Sequence, residues 1–310
     1  MGLMALSSAL LAGMHASIRL VPGGMHPYEI AFFRNLFGLV VLTLMQGRNL
    51  PQALRTRKFK LHLWRGVLNV ISMLAFFKGV VITPLAQVAG LTFMGPLLAS
   101  VLAFLVFREG GVVRRMSAFG LGLVGALLIL RPGVTEVGPG PLLVLFSAVM
   151  WSAALLVIKV LSRTETSMTI GIYMALVMTP ISALAAWPHW MAPGPEQLAW
   201  LMLTGLLGTA GQVLLAQSFR MADASAVLPL DFFKLIWSSL LGYSLFGEVP
   251  TIWVYVGGSI IFGSGVWLAL KERHVPGGNP VPEVTPDVPP GSPVPAGTGA
   301  SAPPPGAPAR

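Results

Sequence analysis

The stretch from Pro84 to Glu109, PLAQVAGLTFMGPLLASVLAFLVFRE, returns 139 residues later as Asp223 to Glu248, DASAVLPLDFFKLIWSSLLGYSLFGE. The copies agree without a gap at Val88/Val227, Leu91/Leu230, Phe93/Phe232, Ser100/Ser239, Leu102/Leu241, Phe107/Phe246 and Glu109/Glu248. Agreement among leucines costs little. The shared phenylalanine and closing glutamate say more, because they fix the same end of both runs. A chain that repeats itself over this distance folds as two copies of one unit.

The unit is a membrane unit. Of 310 residues, 55% are hydrophobic and 10% charged, against about 25% charged in soluble domains. A hydrocarbon core of about 30 Å needs about 20 apolar residues per helix. Ten such runs are legible: 3–20, 27–46, 62–81, 86–106, 114–131, 141–161, 168–187, 197–217, 224–246 and 251–270. The first is a membrane helix, since it lacks the basic start and cleavage site of a signal peptide. The net charge of +9 does not point to nucleic acid, because the charges are placed by loop. Alternate loops collect Arg48, Arg55, Arg57, Lys58, Lys60 and Arg65; then Arg108, Arg114 and Arg115; then Lys159 and Arg163; then Arg220; and finally Lys271 and Arg273. The other loops have only Arg19 and Arg131 at their edges. Basic residues stay cytoplasmic, so both termini are expected there.

Five helices per copy is an odd number, so the second copy must lie upside down. The expected fold is all-α and integral to the membrane: ten transmembrane helices as two inverted five-helix repeats, residues 1–133 and 139–271. Inverted repeats place a shared cavity near the midplane. Residues 272–310 hold 12 prolines among Gly, Ser and Ala and cannot bury a core. They read as a disordered cytoplasmic tail.

Charges within the helices are the candidates for function. A charge at the bilayer centre costs about 2.5–3.5 kcal/mol on insertion scales, so it faces a cavity or a partner. Asp231 and Lys234 share a helix face, with Pro229 just before them. The matching place in the first copy has Thr92 and Gly95 with no charge, and Pro96 as its breaker. The pair reads either as a site for an asymmetric solute or as a self-neutralised brace. Arg34 lies about 10 Å into its helix at 1.5 Å per residue. Its guanidinium suits a carboxylate or phosphate, unless backbone carbonyls satisfy it. Glu29 and Lys78 lie nearer the outer boundary. Glu29 is a candidate coupling carboxylate, and Lys78 reads as a snorkelling side chain. Gln212, with Gln217 beside Gly205, Gly208 and Gly211, either lines the cavity or bonds between helices. His15, Asn35, Asn69 and Gln87 complete the polar set, His15 reading as structural. Glu109 and Glu248 read as caps and hairpin locks. Gly120, Gly122 and Gly125 spell the dinucleotide fingerprint, but lie inside an apolar run with no strand before it. They read as helix packing.

These features resemble the EamA-type branch of the drug/metabolite transporter superfamily. The resemblance rests on the two five-helix copies, the basic ends at Arg19 and Lys159, the Phe-x-Glu ends at 107–109 and 246–248, and Arg-Pro-Gly at 131–133. It covers residues 1–270. The run from His26 to Arg34, HPYEIAFFR, with Trp64-Arg-Gly66, is similar to the branch that includes S-adenosylmethionine carriers. The resemblance implies a central cavity between the halves and movement of small organic solutes. It matches Arg34 to an arginine common in helix 2 of relatives, whereas Asp231 and Lys234 depart from the mostly apolar helix 9 of many members. It is compatible with a homodimer.

The expected function is therefore a bacterial inner-membrane carrier working by alternating access. Its partners are the lipid bilayer, a small zwitterionic or anionic solute, and a coupling proton or other ion. Arg34, Asp231, Lys234, Gln212 and Thr92 are the expected solute contacts. No nucleic acid, metal or cofactor is expected. An intramembrane enzyme would need a nucleophile or metal cluster at depth; the chain has no cysteine, no HExxH and no paired aspartates. Further alternatives are a broad amino-acid or drug exporter of the same fold, and a scaffold acting through its tail.

Overall fold

The computed structural model describes residues 2–47, 50–107, 111–133, 136–161, 164–221 and 230–273. Pro229, Glu109, Arg48, Arg108, Arg163 and the Pro-rich stretch beyond residue 273 lie outside the described residues. The helices are α1 (Gly2–Leu20), α2 (Pro27–Gln46), α3 (Phe59–Val81), α4 (Leu85–Phe107), α5 (Val112–Leu130), α6 (Pro139–Leu161), α7 (Ser167–Ala186), α8 (Pro195–Met221), α9 (Phe233–Phe246) and α10 (Ile252–Arg273). Among the described residues, nine of these are long and apolar enough to cross a membrane. The remaining one, α9, has 14 residues and completes the run expected as the ninth span.

Local chemistry sets the ends. His26 caps α2, its Nδ1 accepting the Tyr28 N–H at 3.3 Å, with Pro27 in the first turn, where a missing N–H costs nothing. Thr166 caps α7 by accepting the Thr169 N–H at 3.2 Å. Gly247 ends α9 at φ 67°, and the N–H of Glu248 returns to the carbonyl of Gly242 at 3.0 Å. One boundary shifts: α3 begins at Phe59, three residues before the expected run, so Arg65, counted with the basic loop although inside that run, lies well within the helix. Arg65 is buried and donates to the carbonyl of Ile170 on α7 at 2.7 Å.

Packing follows the repeat. α1 packs on α8 as α6 does on α3; α2 on α8 as α7 on α3; α1 on α9 as α6 on α4. The pairs α2–α7 and α5–α10 map onto themselves. Exchanging each helix with the one five places along thus relates these contacts to one another, as an inverted duplication requires, while α2–α3 and α4–α10 have no counterpart of like extent among the described residues. The correspondence reaches single residues. Ser7 donates to the carbonyl of Gly211 at 2.8 Å, and Ser72 to the carbonyl of Ser147 at 2.8 Å. Adding 140 to Ser7 gives Ser147, and adding 139 to Ser72 gives Gly211. Likewise Gly66 meets Val177, while Gly205 meets Phe37, its matching pair.

These close approaches use glycine because lipid offers no hydrophobic drive between helices, so fit must supply the association. Gly122 packs on Leu97, and Gly125 lies against Gly257. A methyl group at Gly125 would come 2.6 Å from the Gly257 carbonyl oxygen. Gly125→Leu is therefore expected to destabilise the detergent-purified protein by about 1–3 kcal/mol, read as a lower melting temperature. Gly120→Ala, where an added methyl meets nothing within 4 Å, is expected to leave it unchanged or slightly raised.

Candidate functional site between the two halves

The site begins where two helices break. Proline at position 96 lacks an N–H and crowds the carbonyl four residues earlier, that of Thr92. α4 accordingly divides into Leu85–Thr92 and Met94–Phe107, parting at Phe93. The Thr92 hydroxyl turns back to the carbonyl of Ala89 at 2.7 Å. In the second half the chain turns at Phe232, just before α9. Phe232 is the residue matched to Phe93 in the repeat, so both breaks fall at one position of the unit. The two rings stack with centroids 6.1 Å apart at 18°. Phe262 of α10 closes on both, at 5.4 and 5.2 Å. The loosened backbone at Leu230 offers its carbonyl to the Ser8 hydroxyl of α1 at 3.4 Å.

Charges gather around this aromatic cluster. Lys234 Nζ lies 3.7 Å from Asp231 Oδ1 and 5.9 Å from the centroid of Phe93. The side chains of Lys234 and Asp231 are 15% and 25% exposed. Arg34 reaches from α2 between α3 and α8. Its Nη1 is 3.3 Å from Asn35 Oδ1 and 3.9 Å from Met73 Sδ, and its Nε passes 3.3 Å from where a side chain on Gly208 would start. Among the described residues no carboxylate pairs with Arg34. His15 of α1 is buried, meets Phe76 edge-on at 5.0 Å, and stands within electrostatic range of both Arg34 and Lys234. It lies near both cations, a place that its lone position in an apolar helix did not reveal.

All four groups break the internal symmetry. The residues matching Arg34 and His15 are Met174 and Leu155; those matching Asp231 and Lys234 are Thr92 and Gly95. A symmetric scaffold therefore holds an asymmetric polar cluster. Gln212 is exposed on α8, one turn beyond Gly208. Other amides are used structurally: Asn35 donates to the Ser182 hydroxyl at 3.3 Å, Asn69 to the Arg65 carbonyl at 3.0 Å, and Gln87 to the Ile129 carbonyl at 3.4 Å.

Glu29 stands apart from this cluster, in the first turn of α2. It is fully buried; Oε1 accepts the Met191 N–H at 2.5 Å, and Oε2 has no partner among the described residues. Lys78 is exposed. Two cavities lie away from the central charges. One, of about 340 Å³, is bordered by Gln87, Arg131, Glu136 and Thr251. The other, of about 290 Å³, is an apolar groove beside Tyr173 and Pro180.

Comparison with known proteins agrees with the fold. The EamA-like transporter family matches twice, over residues 1–131 and 138–270. A riboflavin transporter of Vibrio cholerae is 32% identical over 237 residues, covering 76% of this chain and 79% of that one. An S-adenosylmethionine uptake transporter of Rickettsia prowazekii is 26% identical over 252 residues, covering 80% and 85%. A solved crystal structure with 20% identity superposes with a TM-score of 0.56 over 87% of this chain and 96% of that chain, a likeness of fold. The chain belongs to the EamA-like transporter family. It is a multi-pass membrane protein of a class that transports small molecules.

The two readings of Asp231 and Lys234 differ in energy. Removing one charge of a largely covered pair strands the other, whichever role the pair has. The double variant Asp231→Asn with Lys234→Gln strands neither, and is expected to keep the melting temperature if the pair serves a solute. A large loss in the double variant would return the pair to a structural role.

Proposed function

We propose that the protein is a secondary carrier of the bacterial inner membrane, moving a small zwitterionic or anionic organic solute by alternating access. Its two repeats, 1–133 and 139–271, form the moving halves, and both termini face the cytoplasm. The observation that carries this reading is the polar cluster that breaks the pseudo-symmetry at the junction of the halves. Arg34 and Lys234 meet acidic groups of the solute and Asp231 meets an amine. Gln212 and Thr92 are the further solute contacts of this reading. The rings of Phe93, Phe232 and Phe262 add apolar faces against which a planar group can stack. Amino-acid and nucleoside derivatives combine these features. Relatives named for riboflavin and S-adenosylmethionine support a solute with a heteroaromatic ring.

Binding comes before transport and is the simpler test. A ligand that binds only the folded state raises its stability, by about 2.7 kcal/mol at a hundredfold excess over Kd. Purified protein is screened by thermal shift against S-adenosylmethionine, S-adenosylhomocysteine, riboflavin and amino acids. The expected result is a saturable rise with one class, lost in Arg34→Ala and in Asp231→Ala. Transport kinetics left intact by both variants would overturn the assignment of these residues.

Coupling falls to Glu29. Its carboxyl is fully buried, with Oε1 accepting the Met191 N–H and Oε2 without a partner among the described residues. Glu29→Gln preserves the acceptor for Met191. It is expected to flatten the pH dependence of uptake while leaving solute binding in place. Unchanged pH dependence would remove Glu29 from the coupling step.

A further inference from the structure

The apolar groove beside Tyr173 runs between α3 and α7 and holds about 290 Å³. Tyr173, Leu176, Val177, Pro180 and Ile181 follow at steps of three and four residues, so one face of α7 forms one wall. From Tyr173 to Ile181 that wall rises about 12 Å at 1.5 Å per residue. Phe59 and Leu63, one turn apart on α3, form the other wall. The Phe59 end lies at headgroup level. Trp64, beside Leu63 on α3, is 61% exposed, and amphipathic rings settle where hydrocarbon meets headgroups.

Cations crowd that end. Lys58 and Lys60 flank Phe59, and Arg55 and Arg57 lead into it. The Tyr173 hydroxyl donates to the Leu54 carbonyl at 2.7 Å, which fixes the start of this basic stretch to the wall of the groove. Thr56 fixes it again, donating to Glu165 at 2.8 Å. Among the described residues, no carboxylate pairs with Arg55, Arg57, Lys58 or Lys60. The repeat does not require this arrangement. At the matching place, between α2 and α8, Phe37 stands for Val177 and Val40 for Pro180. There Trp190 packs 5.8 Å from Phe33, the match of Tyr173. Arg57, Lys58 and Lys60 are matched by Glu196, Gln197 and Ala199. The cations accompany the groove at one face and are missing from its image.

We propose that this groove binds one anionic phospholipid, its phosphate against Lys58 and Lys60 and an acyl chain along Leu63, Leu176 and Ile181. Basic residues beside membrane helices attract anionic headgroups, each adding about fivefold to affinity. Lysine stems lie along apolar surface while their ammonium groups reach the phosphate. A lipid without net charge fills the groove but leaves the cations unanswered. An extended peptide would carry unpaired backbone groups into hydrocarbon. The site is separate from the central cluster and does not depend on the carrier reading.

Native mass spectrometry of the full chain counts bound lipid directly. The protein is delipidated in detergent and titrated with phosphatidylglycerol or with phosphatidylcholine. One phosphatidylglycerol is expected to bind first, at least about tenfold tighter than phosphatidylcholine. Lys58→Gln with Lys60→Gln is expected to weaken it about twentyfold. Leu176→Trp, whose ring fills the groove, tests the apolar part without touching a charge and is also expected to weaken it. Arg114→Gln with Lys271→Gln removes two cations of the other basic segments, on α5 and α10, and is expected to leave the first lipid in place. Equal weakening by the two double variants would make the binding a property of surface charge and overturn the site. Equal affinity for the two lipids, or a first lipid indifferent to Leu176→Trp, would overturn it as well. A dimer that takes up no phosphatidylglycerol would put a second copy of the chain on the groove in place of the lipid.

Discussion

Hydrocarbon offers no partner to a backbone N–H or carbonyl, so irregular chain survives in a membrane only where protein covers it. The arrangement of this molecule follows from that limit. The breaks at Phe93 and Phe232 lie where the halves meet, sealed by three phenylalanine rings. Many hydroxyls within the helices turn back on their own carbonyls or cross to a neighbour, as Ser8 does with Met4 and Leu230. The one part of the span where backbone can depart from the helix is thus the part shared by both repeats.

That shared part is also where the symmetry fails. Ser7–Gly211 and Gly205–Phe37 repeat across the halves as Ser147–Ser72 and Gly66–Val177, because close helix approach demands small groups in each copy. Charge at depth carries a cost that scaffolding does not require. Arg34, His15, Asp231 and Lys234 have no charged counterparts, so the duplication does not account for them. In the proposed carrier a solute with unlike ends accounts for them, and the symmetric scaffold supplies the motion.

Much of this was legible in the chain, and the reasons for the rest are physical. Hydropathy placed most helix ends to within a turn, since each must span one thickness; α8 runs four residues past its expected end, and the start of the ninth run lies outside the described residues. Phe93 and Phe232 were legible only as a matched pair of the repeat; Pro96 was read as the breaker, three residues downstream of the break itself. A proline disrupts the carbonyl four residues before itself, which moves the break to Thr92 and Phe93. Arg65 looked like a loop residue because charge normally ends a membrane run; its partner, the Ile170 carbonyl, is more than a hundred residues away. The same distance hid the Arg19–Glu248 pair, separated by 229 residues. Glu248 showed its helix-end position, but only packing reveals that its carboxylate points across the halves. Gly122 and Gly125 pack as the small-residue reading required, while Gly120 meets nothing.

The central claim is that this asymmetric cluster serves a moving carrier. Counterflow in proteoliposomes tests it most directly. Vesicles are loaded with the unlabelled solute that stabilises the protein, and labelled solute is added outside. The account predicts a transient accumulation of label above its equilibrium level, abolished by Arg34→Ala. A solute that binds saturably, yet shows no counterflow in vesicles with folded protein, would contradict it and leave a membrane receptor in place of a carrier.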